Sequence, residues 1–352
     1  MRRFLFSLLM AVLVPMAAGA QEPYAVLSNG NSVLTFYYDN QKAARNGMDV
    51  GPFILFYDNN LYRDCVSSGW DEHRDIITSV VFDDSFAGCS TLASTAYWFY
   101  EFKKLSSITG ISNLKTDNVT DMQFMFRNCS GLTSLDVTGF KTDNVTNMNW
   151  MFTSCSGLTS LDVTGFKTDK VTNMDGMFHG CSSLKSIDVT GFKTENVTKM
   201  RFMFEGCNSM TSIDVTGFKT NNVTDMSNMF YGCSGLTSLD MSGFKLDKLE
   251  DLRFMFEGCS RLTTIYSNED WYADNRYGYN MFYGCTSLKG GEGTEYDESM
   301  VGVSMAHPDS QDNPGYFTRK GGTVEWAEGD LNHDGKVDAA DMVKLANIIM
   351  GK

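Results

Sequence analysis

The chain has 352 residues, only five prolines, nine cysteines and a formal charge of −14 at pH 7. An acidic balance of this size argues against nucleic acid and anionic membrane as partners, because phosphate binding needs Lys/Arg patches. It leaves cations, basic proteins and neutral glycans open.

In chain order, residues 1–20 read as a secretory signal peptide. Arg2 and Arg3 form its positive end, Phe4 to Val14 its apolar stretch, and Ala18-Gly19-Ala20 its cleavage site. The apolar run is too short to span a bilayer, and no other stretch could. No cysteine follows the cleavage point, which argues against a lipid anchor, so the mature chain is expected to be exported. Residues 21–75 form an expected β-rich N-terminal cap. Within it, Ala25 to Tyr38 reads as two strands joined by the turn Asn29-Gly30.

Residues 76–289 carry an internal repeat. Cys129, Cys155, Cys181, Cys207, Cys233, Cys259 and Cys285 recur every 26 residues without a slip. A fixed period of this length is the signature of a solenoid, whose coils bury their apolar faces only against their neighbours. The coils starting at Ile77 and Leu105 are slightly longer, and the period tightens into register after them. Regular coils start at Leu132, Leu158, Leu184, Met210, Leu236 and Leu262. The expectation is an α/β solenoid, a right-handed coil of about eight repeats, each with a parallel strand and a short helix, roughly 40 Å long at ~4.8 Å per coil.

Within one coil, Leu158-x-x-Leu161-x-Val163 alternates like a half-buried strand. Gly165, with Gly139, Gly191, Gly217 and Gly243 in other coils, suggests a bend needing positive φ or close backbone approach. Thr168 or Asp169 suits a helix N-cap. Val171, Met174, Met177 and Phe178 fall on one face if the segment is helical or 3-10. Residues 290–322 lose the period and are expected to form a C-terminal cap and linker, ahead of a tail at 323–352.

The seven periodic cysteines are expected to be reduced, buried thiols. Equivalent side chains on stacked coils run parallel and cannot reach disulfide geometry. Cys65 and Cys89 lie outside that column and could pair with each other.

Two surfaces are candidates for binding. Asp136, Asp162, Asp188, Asp214 and Asp240 fall between buried positions, beside Ser and Thr columns. They are either a solvated face accepting bonds from those hydroxyls or an acidic strip for cations or a basic partner. Phe124, Trp150, Phe202 and Phe254 share one repeat position, taken by Gly176, Asn228 and Asn280 elsewhere. Helical phase sets this position opposite the core, where aromatics suit sugar stacking or protein contact, unless they pack against a neighbouring turn. The Asn-Val-Thr sequons at Asn118, Asn144, Asn196 and Asn222 are by-products of the repeat.

The tail carries Asp330, Asn332, Asp334, Gly335, Lys336, Asp338 and Asp341 at EF-hand-like spacing. Side-chain oxygens at loop positions 1, 3, 5, 9 and 12, with the Lys336 carbonyl at 7, suit Ca²⁺. Asp at position 12 and a helical pattern only after the loop make it resemble a single dockerin repeat; a whole dockerin has two. That resemblance implies a cohesin-like partner for the tail. Catalysis finds little support. The four histidines, His73, His179, His307 and His333, are scattered, and no nucleophile elbow, metalloprotease or phosphate-loop motif occurs.

The combination Val145-Thr-Asn-Met148-x-x-Met151-Phe152-x-x-Cys155-x-x-Leu158-x-x-Leu161-Asp-Val163-x-x-Phe166, with Asn313-Pro-Gly-Tyr-Phe317 near the end, resembles the BspA-like leucine-rich-repeat surface proteins. The resemblance covers most of the mature chain. It implies an exported bacterial surface protein, adhesin-like and not an enzyme, that binds a host matrix protein or another cell. The alternative is a glycan-binding component tethered through its dockerin-like tail. Fold and family do not fix the ligand.

Overall fold

The computed structural model describes residues 19–50, the backbone of 55–58 and 61–65, residues 69–273 and 275–321, and Met342. Residues 1–18 of the expected leader, the Cys65 side chain and the calcium-loop residues 330–341 lie outside the described residues.

β1 (Glu22–Ser28) and β2 (Val33–Asp39) pair antiparallel along their whole length. Asn29 and Gly30 between them both have positive φ, 52° and 64°, as tight hairpin turns require. β3 (Met48–Asp49) adds to the outside of β1, and β4 (Leu55–Asp58) pairs with β5 (Leu61–Cys65) separately. β2 then pairs in parallel with β6 (Ser79–Phe82), and β6 with β7 (Ser107–Thr109), its equivalent on the following coil. The hairpin therefore continues the sheet of the first two coils and closes its edge. Phe36 seals the joint, with ring centroids 4.8 Å from Phe82 and 5.1 Å from Trp98.

From there the chain stacks coil on coil. Parallel bridges link Ser94, Asp121, Asn147, Asn173, Lys199, Asp225, Asp251 and Tyr277 in one continuous column, with one member from each coil. Beneath it Phe99, Phe126, Phe152, Phe178, Phe204, Phe230, Phe256 and Phe282 form a buried file with centroids 5.3–6.0 Å apart. Val145, Met148, Met151 and Cys155, with their equivalents, fill the rest of the interior. Burying each such side chain contributes on the order of 1.5–3 kcal/mol.

The expected short helices are not there: among the described residues up to 321 the helical elements are short 3-10 turns outside the regular coils. In the coil 145–155, amides alternate between two kinds of acceptor. Met151, Thr153 and Cys155 donate to carbonyls three residues back. Trp150, Phe152 and Ser154 donate to Asp175, Met177 and His179 of the next coil. Trp150 and Ser154 sit at φ 56° and 55°, which a right-handed helix forbids. The three- and four-residue spacing of Met148, Met151, Phe152 and Cys155 reflects this spiral of tight turns.

Two further expectations are corrected. Gly139, Gly165, Gly191, Gly217 and Gly243 are not among the positive-φ residues, and of the expected close backbone approaches only that at Gly243 is found: an added Cβ there would lie 3.1 Å from the Thr216 carbonyl oxygen, against 3.5–3.7 Å at Gly165, Gly191 and Gly217. The left-handed positions are elsewhere, at Gly176, Gly180, Gly206, Gly232, Gly258 and Gly284. Thr168 caps no helix. It is fully buried, donating from Oγ1 to the Lys193 carbonyl (2.9 Å) and accepting from the Lys193 amide (2.7 Å). Thr116, Thr142, Thr194 and Thr220 make the same two-way clamp to Lys141, Lys167, Lys219 and Lys245.

On the leucine side, Leu161 and Val163 are buried and Asp162 exposed, as alternation requires. In the regular coils, regular strand forms there only at β8 (Ser238–Asp240) and β9 (Thr264–Tyr266). Earlier coils are linked by long amide bonds, 3.5 Å from Lys185 to Thr159 and 3.4 Å from Thr211 to Lys185. β10 (Phe317–Thr318) pairs in parallel with β9 and lays Tyr316 and Phe317 over Phe282 and Trp271, covering the last coil.

Candidate functional site

The seven periodic cysteines are free and buried. Each Sγ donates to a phenylalanine carbonyl of the preceding coil at 3.0–3.2 Å, from Cys129 to Phe99 through Cys285 to Phe256. Burial pushes the thiols up, Cys181 and Cys285 to about 12, so they are unreactive spacers. Cys89 is also a buried free thiol.

The acidic column is held by local turn chemistry. In Asp136, Asp162, Asp188 and Asp214, Oδ1 accepts from the amide (2.9–3.0 Å) and hydroxyl (2.6–2.7 Å) of the threonine two residues on. The threonine hydroxyl, then its amide, hold Asp136, Asp162 and Asp188 below the usual carboxylate range. At Asp240 burial pushes the carboxyl up, but Lys320, which pairs with it, and Ser242 outweigh that, and it too is lowered. The column is thus a solvated face of self-capped turns, with one end on a lysine of the same chain.

The aromatic column lies on the turn side. Its left-handed backbone explains why Gly and Asn alternate there with rings, since few other residues reach that conformation cheaply. The rings are half-buried and stack along the coil axis. Phe124 lies between Tyr97 (4.8 Å) and Trp150 (6.5 Å, 3° between planes). Trp150 leans across Gly176, where a Cβ would lie 2.3 Å from its ring, and reaches Phe202 at 5.6 Å. Both faces of Trp150 are therefore covered, and its edge is what solvent meets. Phe254 stands apart and meets Tyr279 edge-on at 5.8 Å.

Sequence reasoning missed the arginines and tyrosines around these rings. Arg201 ion-pairs with buried Asp175 (2.6 Å) and lies 5.9 Å from the Phe202 ring. Arg253 pairs with Asp251 (2.6 Å) and lies 5.8 Å from the Tyr277 ring. Arg127 lies within 5.4–6.0 Å of Tyr100, Phe124 and Trp150. Tyr277 and Tyr279 are 66% and 67% exposed at the last coil, which leaves room around their rings that the internal stack lacks. The Arg-Phe dipeptides 201–202 and 253–254 were a legible signal for this face. His179 is half-buried, 3.7 Å from Glu205, and 5.6 Å from Trp150 edge-on.

The sequon asparagines are engaged structurally: Asn118, Asn144, Asn196 and Asn222 donate to the preceding coil's Ser90, Asp117, Asp169 and Glu195 carbonyls at 2.7–2.8 Å. Among the described residues no group of three or more His, Cys, Asp or Glu is placed to hold a metal, and no helix is long and apolar enough to cross a membrane.

The chain belongs to the family described as "Mycoplasma protein of unknown function, DUF285", whose model matches residues 93–212 and 181–296, together more than half of the chain. No curated protein matches it. Among solved structures it is similar to a leucine-rich repeat protein from Bacteroides ovatus, at 16% identity over 76% of this chain and 80% of that one, with a TM-score of 0.32. A leucine-rich repeat protein from Eubacterium ventriosum aligns at 18% identity over 76% and 95%, with a TM-score of 0.24. A leucine rich cell surface protein from Faecalibacterium prausnitzii aligns at 17% identity over 84% and 100%, with a TM-score of 0.22.

Proposed function

We propose that this is an exported, adhesin-like interaction protein that binds an extracellular or cell-surface protein through the turn-side face of its coils. The observation that carries the reading is the contrast between an invariant interior and a variable exterior. The same buried Phe, Met and Cys files run under columns whose outward residues change from coil to coil, from Arg127 and Trp150 through His179 and Phe202 to Phe254 and Tyr279. Half-buried aromatics and arginines of this kind are the residue types that dominate protein interfaces. We read the stack as the right-handed leucine-rich-repeat coil that its motif resembles, and its leader as a secretory signal. The test is binding of the mature protein to immobilised extracellular-matrix proteins and to cells. The triple change Phe124→Ala, Phe202→Ala, Phe254→Ala should lower retention at least tenfold, whereas Asp162→Asn with Asp188→Asn should not. Equal retention by both variants would sink the reading.

A glycan-binding component is the second reading. The exposed rings of Tyr277 and Tyr279 favour it, since the internal rings have no face left for a sugar. For the tail, we propose that Asp330, Asn332, Asp334, Asp338 and Asp341, with the Lys336 carbonyl, hold Ca²⁺ and that the loaded tail docks a cohesin-like partner. The donor set is all oxygen, as a hard cation needs. Calcium titration of the mature protein and of Asp330→Ala tests this, and unchanged calorimetry between them would refute it.

A further inference from the structure

The period breaks at a definite place. Lys289 is the 26-residue equivalent of Thr263, so Gly290, Gly291 and Glu292 come where the next coil would repeat Thr264, Ile265 and Tyr266 of β9. The chain turns away instead. The Gly290 amide donates to the Thr294 carbonyl (2.9 Å), the Gly293 amide to the Gly290 carbonyl (3.0 Å), and Lys289 bridges Glu295 antiparallel. β10 arrives from further along the chain and pairs with β9 in place of that strand. The departing hairpin and the incoming strand leave between them an open cleft of about 610 Å³, a size suited to a small ligand.

Its walls are fixed. The buried Asp309 carboxylate accepts from the Glu292 and Thr294 amides (2.9 and 3.0 Å), the Thr294 hydroxyl (2.6 Å) and the Gly315 amide (3.1 Å), which pins the hairpin. On the sheet side the Thr263 amide donates to the Thr237 carbonyl at 2.9 Å and the Lys289 amide to the Thr263 carbonyl at 3.1 Å. An added Cβ at Gly290 would run into the Gly315 carbonyl oxygen, and one at Gly291 would lie 3.2 Å from the Thr318 Cα, so that stretch of wall is bare backbone.

The lining is neither apolar nor strongly charged. Thr264, Ser287 and Thr318 bring hydroxyls, and Lys289 is neutralised by Glu295 (2.7 Å). Only Glu292 adds net charge, which on a chain of −14 disfavours anions. A hard cation needs several oxygen donors, and among the described residues no group of three or more His, Cys, Asp or Glu is placed to supply them. Tyr266 brings the ring. It holds the repeat position of Asp136 to Asp240, and in the sheet it lies between Asp240 and Thr318. Unlike Phe124 and Trp150, it meets no other ring and no arginine among the described residues. An open ring face bordered by hydroxyls, which both donate and accept, matches the C–H face and the hydroxyl rim of a sugar. We infer that this cleft is a subsite for one ring of a neutral glycan, stacked on Tyr266 and bonded at its rim by Thr264, Ser287, Thr318 and Lys289. This rests on the glycan-binding reading and adds to it a site on the leucine side, separate from the turn-side Tyr277 and Tyr279.

The test uses the whole mature protein on an array of neutral oligosaccharides of glucose, mannose, galactose and N-acetylglucosamine, with the strongest binder then titrated by calorimetry. Tyr266→Ala should weaken binding about tenfold, and Tyr266→Phe, which keeps the ring, by less than about threefold. Tyr277→Ala with Tyr279→Ala should stay within about twofold. In the wild type the Tyr266 ring resonances should move during the titration, a readout that does not depend on a variant folding. Wild-type affinity in Tyr266→Ala, an equal loss in Tyr266→Phe, or tighter binding of hexalysine than of the strongest sugar would each overturn the inference. If binding is lost in Tyr277→Ala with Tyr279→Ala and kept in Tyr266→Ala, the glycan reading stands and the cleft falls. If no neutral oligosaccharide is retained, both fall.

Discussion

The two sides of one coil belong to the same short repeat but are held in different ways. On the turn side, amides alternate between their own coil and the next, with inter-coil bonds of 2.6–3.1 Å from Trp150 to Gly258. On the leucine side, the inter-coil amide bonds of the middle coils, Lys185 to Thr159, Thr211 to Lys185 and Thr237 to Thr211, stretch to 3.4–3.5 Å before shortening to 2.9 Å from Thr263 to Thr237, and each Asp-x-Thr closes a turn on itself. The turn side is therefore a rigid frame that fixes where outward side chains stand, which suits a binding face. The leucine side is a chain of local turns resting on buried leucines and valines.

The largest expected effect comes from the sulfur file beneath the rigid side. Burial raises the thiols, so the folded state keeps protons that the unfolded state loses. Stability should be flat below the ordinary thiol value of about 9 and fall as pH rises toward about 12, by about 1.4 kcal/mol per pH unit for each thiol. Urea unfolding between pH 7 and 10.5 measures this, and Cys181→Ala with Cys285→Ala should shallow the slope. A slope independent of these cysteines would break the comparison.

Next is Gly176→Ala. A side chain at φ 58° costs about 1–2 kcal/mol, and its Cβ would meet the Trp150 ring at 2.3 Å, so a total loss of about 2–4 kcal/mol is expected. Trp150→Ala in the same chain should recover the packing part, read by chemical denaturation of all four members of the cycle.

A smaller effect separates two threonines of one coil. Thr168→Val removes the two-way clamp of a fully buried hydroxyl on the part-buried Lys193 amide and carbonyl, worth about 1–3 kcal/mol. Thr164→Val removes only the exposed bond to Asp162 and should move the urea midpoint much less. Comparable losses would mean that the two sides are equally rigid.

The smallest effect is acid titration. Asp136, Asp162 and Asp188 are held low by their threonines, so their contribution is present above the unfolded carboxylate value and is lost as pH falls through the folded one. Carboxyl carbon resonances should titrate below pH 3.8 in the wild type, and Thr164→Val should return Asp162 toward its ordinary value.

Much of this was legible in the residues. The unbroken spacing of Cys129 to Cys285 announced equivalent coils, and parallel side chains on such coils cannot bridge, so free buried thiols followed. The Asn29-Gly30 hairpin was legible because that dipeptide adopts two successive positive-φ residues readily. The helix was misread because apolar spacing of three and four is shared by an α-helix and by a spiral of tight turns. The clue was the substitution of Phe124 and Trp150 by Gly176 and Asn228 at one position, which marks left-handed backbone.

The sequence alone determined the period, the interior files and which residues face outward, because repetition forces equivalent residues into equivalent surroundings. Only the tertiary structure decided what those residues do. Whether a carbonyl is met by its own coil or the next, whether Trp150 shows a face or an edge, and that Arg127 lacks the partner Arg201 has, all depend on neighbours a full repeat away in the chain and one coil away in space.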